Sequence, residues 1–220
     1  DTHIHTNTYT QAEEDYSAFF KDAHTHIKDT DYWQKRGLSE AVVERFMLGY
    51  VEGWRHPKVS QNVPLSPRLI IPTSPNSYIA RDTRSEIPEE QQRYSKSKVG
   101  SVHIFNSKAL QTATRPIFLT EGEIDALAIM SAGGEAVGLG GTSNGRAFIT
   151  LLESMRPEKP AQPLVLALDN DAAGERAAQE IEEGLTKLGI PYYRLNLYGD
   201  SKDAGEAIIK DREALVSKMD

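Results

Sequence analysis

Three acidic residues in the second half of the chain each follow a short apolar run and precede a helix-like stretch. Glu121 follows the run at 117–120, and Asp169 and Asp171 follow the run at 164–168. In an open parallel sheet, the carboxyl ends of different strands meet at one edge, where such folds place their sites. Carboxylate oxygens are hard ligands that suit Mg²⁺, above all with phosphate partners. The pattern therefore predicts that these side chains gather around Mg²⁺, with Mn²⁺ as a possible substitute.

Each of these carboxylates also has a purely structural interpretation. Glu121 lies where the predicted strand meets the predicted helix, with Gly122 permitting the tight turn, and a carboxylate there stabilises the helix dipole. Asp169 and Asp171 face the same side of an extended segment, yet they would also suit an Asx turn and a helix N-cap. Asp203 follows a later strand and presents the same choice between metal ligand and N-cap. The residues alone leave both interpretations open.

Two neighbouring features carry weaker signals. Glu123 and Asp125 follow Glu121 at the same helix start, where we expect them to act as dipole partners or supporting groups. The glycine-rich loop at 138–145 would let the backbone approach a phosphate or a nucleic-acid strand closely. It lacks the G-K-[ST] of a P-loop, and a plain strand-to-helix turn is the alternative.

The elements that must position these residues alternate regularly from residue 117 onwards. The predicted strands and helices are 117–120, 123–132, 136–139, 146–155, 164–168, 173–188, 192–197 and 204–217. This alternation predicts a small, mainly parallel α/β domain that begins near residue 113.

The first half of the chain has no such rhythm. Residues 1–30 are polar, with weak helical character, and predict an N-terminal extension or linker. Ser39 is a typical N-cap for a helix whose apolar face continues through Met47. Short strands are predicted at 69–72, 77–80 and 102–105, with a loop at 54–67. Residues 82–101 are polar and partly basic.

Composition limits the class of protein. The 220 residues are 39% hydrophobic and 26% charged, which is typical of a globular protein without membrane contact. No apolar run is long enough to span a membrane and no signal-peptide pattern is present, so we expect a cytoplasmic location. The chain has no cysteine, which excludes disulfides and cysteine-ligated zinc within it.

Charge is unevenly distributed along the chain. Residues 1–112 hold 14 basic and 14 acidic side chains, whereas residues 113–220 hold 11 and 18, so the net charge of −7 belongs to the second half. An acidic half repels nucleic acid unless cations compensate, which argues against simple coating of DNA.

Two H-x-H strings are further metal candidates. His3 and His5 follow an aspartate and resemble the first metal motif of amidohydrolase-like barrels, and His24 and His26 form the second string. A barrel would need further ligands on later strands and a longer chain, so we expect no metal at either string.

Four segments of the second half resemble the toprim domain in both order and spacing. They are EGEIDALAI from Glu121, AVGLGGTSN from Ala136, ALDNDAAGERAA from Ala167 and GDSKDAGE from Gly199. Toprim domains occur in bacterial-type primases, type IA and type II topoisomerases, small nucleases and recombination mediators. The resemblance covers about residues 116–210. It implies that Glu121 is catalytic or metal-associated, that Asp169 and Asp171 bind Mg²⁺, and that Asp203 assists near a second metal.

Three segments of the first half resemble, more loosely, the basic subdomain of the bacterial-type primase catalytic core. They are 36–54, 68–83 and 93–106, and a primase of the phage, plasmid or mobile-element type would explain the looser match. The resemblance implies an α+β subdomain at 31–113 and a toprim domain at 114–220, with a small, mainly parallel, Rossmann-like sheet flanked by helices. Such proteins usually carry an upstream zinc ribbon and often a downstream helicase.

The implied activity is that of a DNA-directed RNA polymerase of the nucleotidyltransferase class. It would make short RNA primers from nucleoside triphosphates on a single-stranded DNA template during replication, with a replicative helicase as partner. The candidate cations for nucleic-acid or nucleotide phosphates are Arg81, Arg84, Arg93, Lys96, Lys98, Lys108, Arg146, Arg176 and Lys202. For each of them, a solvated surface charge is the alternative.

Two other functions stay open at this point. A toprim nuclease would use the same carboxylates to activate water, although the primase-like first half disfavours it. A non-catalytic toprim docking module in replication or recombination would not need four acidic positions. A topoisomerase is disfavoured because the chain is short and no tyrosine has a strand-cleaving context.

Overall fold

The computed structural model describes residues 14–58, 63–101 and 103–220, and two four-stranded sheets organise these residues. The first sheet is antiparallel, with the strand order β1-β2-β3-β4, and the second is parallel, with the order β6-β5-β7-β8. The predicted mixed α/β class, with a parallel sheet flanked by helices in the second half, is confirmed.

The first half builds the antiparallel sheet and three short helices. Its elements are α1 Ser17–Thr25, α2 Tyr32–Lys35, α3 Glu40–Arg45, β1 Gly49–Trp54, β2 Ser66–Ser74, β3 Ser77–Asp82 and β4 Lys96–Val99, with 3₁₀ turns at Ile27–Asp29 and Glu89–Tyr94. The predicted cap of α3 is present, because the side chain of Ser39 accepts a hydrogen bond from the backbone N–H of Val42 at 3.3 Å.

Several predicted bounds in this half are wrong. The helix after Ser39 ends at Arg45, because the chain turns at Met47, which has a φ of 50°, and then enters β1. The predicted loop at 54–67 contains the start of β2, which begins at Ser66. No strand was predicted in the polar stretch 82–101, but β4 forms there by pairing with β3. The predicted strand 102–105 is only an isolated bridge between Phe105 and Gly138, and Val102 lies outside the described residues.

Helix α1 belongs to the packed part of the first half. Residues 1–13, with His3 and His5, lie outside the described residues, but Phe20 and Ala23 pack with Trp54, Ile70 and Tyr78 in one buried cluster. Residues 17–25 are therefore not a free linker, unlike the extension predicted for 1–30.

The second H-x-H string lies beside α1. His24 Nδ1 lies 2.6 Å from the carbonyl oxygen of Leu48, and His26 Nδ1 lies 2.9 Å from a carboxylate oxygen of Asp29. Each of these rings already has a protein partner.

The second half follows the predicted alternation. Its elements are α4 Ala109–Thr112, β5 Ile117–Thr120, α5 Glu123–Ser131, β6 Glu135–Gly138, α6 Gly145–Ser154, β7 Leu164–Leu166, α7 Ala172–Leu188, β8 Tyr192–Arg194, α8 Ala204–Lys210 and α9 Arg212–Met219. The predicted helix 204–217 is wrong in one respect, because it divides at Asp211, whose side chain caps α9 by accepting from Ala214 N at 2.9 Å.

The parallel register brings the ends of neighbouring strands to one level. Leu119 of β5 pairs with Leu166 of β7 and with Val137 of β6. Glu121 therefore leaves the sheet at the same edge as the segment that carries Asp169. This shared edge is what the alternating pattern predicted.

One hydrophobic cluster joins the two halves. Leu48, Leu69 and Ile71 of the antiparallel sheet share a buried core with Phe118 and Leu127 of the parallel domain. The boundary near residue 113 stays a prediction. No helix in the described ranges is long and apolar enough to cross a membrane.

A substitution at Gly49 tests how closely β1 packs on α1. A Cβ at Gly49 would lie 2.6 Å from Ala23 Cβ and 2.8 Å from the backbone carbonyl carbon of Ala23, whereas one at Gly53 would meet only Leu65 at 3.6 Å. We expect Gly49→Ala to lower the free energy of unfolding by roughly 1–3 kcal/mol, the usual range for overpacking. Gly53→Ala, on the same strand, is the control and should be neutral or stabilising. Urea denaturation of both variants measures the difference, and equal stabilities would contradict the packing.

Candidate active site

The carboxyl edge of the parallel sheet collects the predicted acidic residues. Backbone hydrogen bonds from Leu139 N to Thr120 O and from Ala167 N to Leu119 O continue the pairing beyond the strands, at 3.0 and 2.9 Å. Gly141 N donates to the carbonyl oxygen of Glu121 at 3.0 Å. These bonds fix the backbone on both sides of Glu121.

Burial and mutual repulsion act on Glu121 and Asp169. Burial raises the pKa of Glu121, and the nearby charge of Asp171 raises it further. Burial also raises the pKa of Asp169 to about 6, with added repulsion from Glu121 and Asp203. The structure thus brings together the predicted carboxylates closely enough for each to oppose the ionisation of another.

Asp171 and Asp203 are helix N-caps, as their structural interpretation predicted. Asp171 Oδ1 accepts from the N–H groups of Ala173 and Gly174, both at 2.9 Å, and the bond from Gly174 is the main reason that the pKa of Asp171 is lowered. Asp203 Oδ1 accepts from Glu206 N at 2.8 Å. Each cap uses one carboxylate oxygen, so the second oxygen is available to a cation.

Two buried oxygens in this cluster have no hydrogen-bond partner in the part of the chain that the structure describes. They are Glu121 Oε2 and Asp169 Oδ1. A buried carboxylate oxygen without a partner is costly, and a cation would relieve that cost. The donor set therefore fits a hard divalent cation.

The carboxylates do not form a closed cage. Among the described residues, no three histidine or acidic side chains converge tightly enough to enclose a metal ion by themselves. Mg²⁺ commonly keeps several waters and binds through one or two carboxylates plus substrate phosphates. An open cluster is thus compatible with Mg²⁺ bound together with a phosphate substrate.

The predicted cations of the first half are mostly engaged in protein contacts. Arg84 donates to Asp82 Oδ2 at 2.7 Å, and Arg81 donates to the hydroxyl of Tyr32 at 3.2 Å. Lys96 Nζ lies 2.8 Å from the buried Glu123 Oε2.

Lys98 also reaches across to the second half. Its ammonium donates to the carbonyl oxygen of Gly140, in the glycine-rich loop. Partial burial, together with repulsion from Lys96, lowers the pKa of Lys98. Lys96 and Lys98 therefore join β4 to the parallel domain beside the carboxylates.

A cavity of about 210 Å³ lies on the antiparallel sheet beside this junction. Its lining combines cations with aromatic rings: Trp54, Arg55, Arg68, Arg93, Tyr94, Lys96 and Lys98. Arg93 is exposed above the ring of Tyr94, 4.7 Å from its centroid. Sequence reasoning missed Arg55 and Arg68, because neither belongs to a recognisable pattern.

The remaining predicted cations differ in their surroundings. Lys202 lies 3.5 Å from Asp169 Oδ2 and 3.4 Å from Asp171 Oδ2, within the carboxylate cluster. Lys108, Arg146 and Arg176 are exposed and make no ion pair with any residue that the structure describes. Their proposed contacts with nucleic acid stay predictions.

Three residues support the cluster, and of these the sequence predicted only Asp125, as a dipole partner or supporting group. Asp125 accepts from Gly205 N at 3.0 Å, and burial raises its pKa to about 6, with added repulsion from Asp203. The buried Tyr198 donates to the carbonyl oxygen of Ala167, and Asn170 binds the loop before Asp203.

Asp125 makes the stability of the protein depend on pH. Its folded pKa is raised, so its contribution to stability is present below pH 4 or so and is lost as the pH rises through about 6. Without divalent cations, we expect Asp125→Asn to be more stable than wild type at about pH 7.5, by roughly 1–3 kcal/mol. The difference should shrink to roughly a third of that at about pH 4.5, because much of the unfolded Asp125 is already ionised there. Urea denaturation at both pH values measures it, and Asp200→Asn, at an exposed position, is the control.

A stabilisation by Asp125→Asn that is the same at both pH values would show that charge at Asp125 is not the cause. A loss of stability at the higher pH would contradict the argument outright.

Known proteins resemble this chain in sequence and in fold. Residues 118–208 match the family described as Toprim-like. Over 102 residues the chain is 34% identical to the DNA primase of Mycoplasma pneumoniae, an alignment that covers 46% of this chain and 16% of that protein. The chain thus spans a small part of its curated relative.

Two solved structures share the fold. The primase fragment of the bacteriophage T7 primase-helicase protein superposes with a TM-score of 0.60 and 20% identity, covering 84% of this chain and 72% of that chain. The DnaG catalytic core superposes with a TM-score of 0.66 and 18% identity, covering 92% and 76%. At these identities the likeness concerns the fold. Residues 118–208 therefore resemble the Toprim-like family, and the chain shares its fold with the bacteriophage T7 primase fragment and the DnaG catalytic core.

Proposed function

We propose that this chain is the catalytic core of a DNA primase, which makes short RNA primers on single-stranded DNA from nucleoside triphosphates. One observation carries the proposal: a partly buried carboxylate cluster with two unpartnered oxygens lies beside a basic, aromatic cavity, and Lys96 belongs to the cavity while pairing with Glu123. Primer synthesis needs both parts, because one must bind the reacting phosphates and the other the template. The likeness to the primases described above supports this assignment.

The reaction joins two nucleotides. The 3′-hydroxyl of one attacks the α-phosphate of the next, a P–O bond to that phosphate forms, and pyrophosphate leaves. The protein contributes mainly position and charge compensation in such phosphoryl transfers.

Glu121, Asp169 and Asp171 are the residues that would hold Mg²⁺ or Mn²⁺, with Asp203 assisting. Such an ion would lower the pKa of the attacking hydroxyl and offset the charge on the phosphates. The raised pKa of Glu121 also lets its unpartnered Oε2 accept a proton more readily than an ordinary glutamate. Partial burial holds Glu121 and Asp169 at this edge of the sheet. The helix N-cap hydrogen bonds hold Asp171 and Asp203 at the same edge.

A second cavity gives the substrate room beside Asp169 and Asp171. It has a volume of about 560 Å³, and Asp169, Asn170, Asp171 and Arg194 are among its lining residues. This volume falls within the usual range for small-molecule sites. We place a nucleotide there.

The template belongs on the antiparallel sheet in this proposal. The exposed cations of the basic cavity, above all Arg93, would contact the phosphates of a single strand, and the ring of Tyr94 would stack on a base. The second half carries the net negative charge, which would keep the template on the first half. A replicative helicase is the proposed partner, because the T7 relative is a primase-helicase, and the proposed location is the cytoplasm.

Asp169→Asn tests the catalytic assignment. With single-stranded DNA, labelled nucleoside triphosphates and Mg²⁺ or Mn²⁺, we expect wild type to make short labelled oligomers. Asp169→Asn should make at least about a hundredfold less, because it removes charge from the metal site. Asp200→Asn changes an exposed aspartate in a nearby loop and should keep full activity. Product sizes are read on a denaturing gel.

The same gel distinguishes the alternatives. Shortened template without new oligomers, lost in Asp169→Asn, would replace the primase with a toprim nuclease. Absence of both products at every template and metal tested would favour the docking module.

Arg93→Gln tests the template surface. Because Arg93 is an exposed cation of the basic cavity, its loss should weaken binding to single-stranded DNA of any sequence. The slope of log affinity against log salt should fall by about one. Fluorescence anisotropy over a salt series measures both. Lys21→Gln, an exposed lysine on α1, is the matched control, and equal slopes for the two variants would place the template elsewhere.

A further inference from the structure

Lys202 places an ammonium group directly against the aspartate pair. Its Nζ lies 3.5 Å from Asp169 Oδ2 and 3.4 Å from Asp171 Oδ2. The side chain of Asp169 is 10% exposed, whereas that of Lys202 is 57% exposed. The lysine thus approaches the carboxylates from the solvent side.

The backbone of Lys202 is held firmly while its side chain is not. Its carbonyl oxygen accepts from Asn170 N at 2.7 Å, and its N–H donates to Glu206 Oε2 at 2.6 Å. Asn170 Nδ2 also donates to the carbonyl oxygens of Gly199 and Ser201, at 3.1 and 2.8 Å. The loop is therefore fastened to the D-x-D segment by the residue between the two aspartates.

A fixed backbone leaves the ammonium positioned by its two ion pairs. The ammonium forms its ion pairs with Asp169 and Asp171 from the end of a long, flexible side chain. Exposed ion pairs are weak and are lost readily to a competing cation. A divalent cation at Asp169 and Asp171 would seek the same Oδ2 atoms.

We propose that Lys202 is an exchangeable counter-ion of the Asp169–Asp171 pair, which a divalent cation displaces when it binds. The proposal rests on the metal site of the proposed function. The lysine offsets part of the repulsion among the carboxylates until the metal does so. Since its backbone stays fastened, the displaced ammonium remains beside the site, within reach of a substrate phosphate.

Lysine acylation followed by mass spectrometry tests the exchange directly. The wild-type protein is labelled briefly with an amine-reactive ester, with and without saturating Mg²⁺, and calorimetry on the same sample reports whether Mg²⁺ binds. We expect Mg²⁺ to raise the labelling rate of Lys202 roughly two- to fivefold, because an ion pair of this exposure is weak. Lys210, exposed on α8 nearby, serves as the internal control and should not change.

A second variant measures competition without any label. Lys202→Met should bind Mg²⁺ roughly two- to fivefold more tightly than wild type, because the competing cation is gone. Lys210→Met, an equal change of charge on the same part of the surface, should bind as wild type does. Both lysines are exposed, so neither substitution removes core packing.

These measurements distinguish the exchange at Lys202 from the metal site on which it rests. Calorimetric binding of Mg²⁺ with unchanged labelling of Lys202 would overturn the exchange and leave the metal site intact. Unchanged or weaker Mg²⁺ binding by Lys202→Met would overturn it as well. A lack of any Mg²⁺ binding by wild type would overturn both the exchange and the metal site.

Discussion

The carboxylates at the edge of the parallel sheet repel one another, and burial removes the water that would screen them. Hydrogen-bond donors and one ammonium group in the surrounding structure offset most of this repulsion. Helix N–H groups hold Asp171 and Asp203, a backbone N–H holds Asp125, and the ammonium of Lys202 lies against the D-x-D pair. Glu121 and Asp169 each retain one buried oxygen without a partner in the described chain. The uncompensated remainder is the part of the site that favours a cation.

The placement of this cluster depends on the register of three strands. Because β6, β5 and β7 run in parallel and end at one level, the loops that follow them converge. The antiparallel sheet then reaches the same edge through β4, whose Lys96 and Lys98 contact Glu123 and Gly140. The carboxylates of the second half and the lysines of β4 therefore lie next to each other. The proposed primer synthesis needs this arrangement, because a metal-binding site and a template-binding surface must be adjacent.

The parallel domain could be predicted from the sequence because its signals are local. Each strand there is a short apolar run and each helix follows directly, so periodicity alone identifies it. In the first half, β1 is decided by distant contacts, since Gly49 fits closely against Ala23 of α1. Strand β4 has the sequence Lys-Ser-Lys-Val, which shows little hydrophobic pattern and forms through its pairing with β3. No local rule marks either element.

The residues of the site also fall into those that the sequence predicts and those that it does not. Glu121, Asp169 and Asp171 follow recognisable strands, so sequence placed them correctly at one edge. The supporting contacts of Asn170 and Tyr198 join segments about thirty residues apart, and they become visible only after folding. The expected cations Arg81 and Arg84 were predicted by charge alone, and their protein partners could not be known beforehand.

The hydrophobic cluster that joins the two sheets limits how the two halves of the chain can change independently during evolution. Residues such as Leu48 and Ile71 complete a core whose other members belong to the parallel domain. A recombination event that replaced one half would have to match both this apolar contact and the pair of Lys96 with Glu123. The carboxylate edge and the antiparallel sheet are therefore not independent modules, and substitutions in one half set which substitutions the other half tolerates.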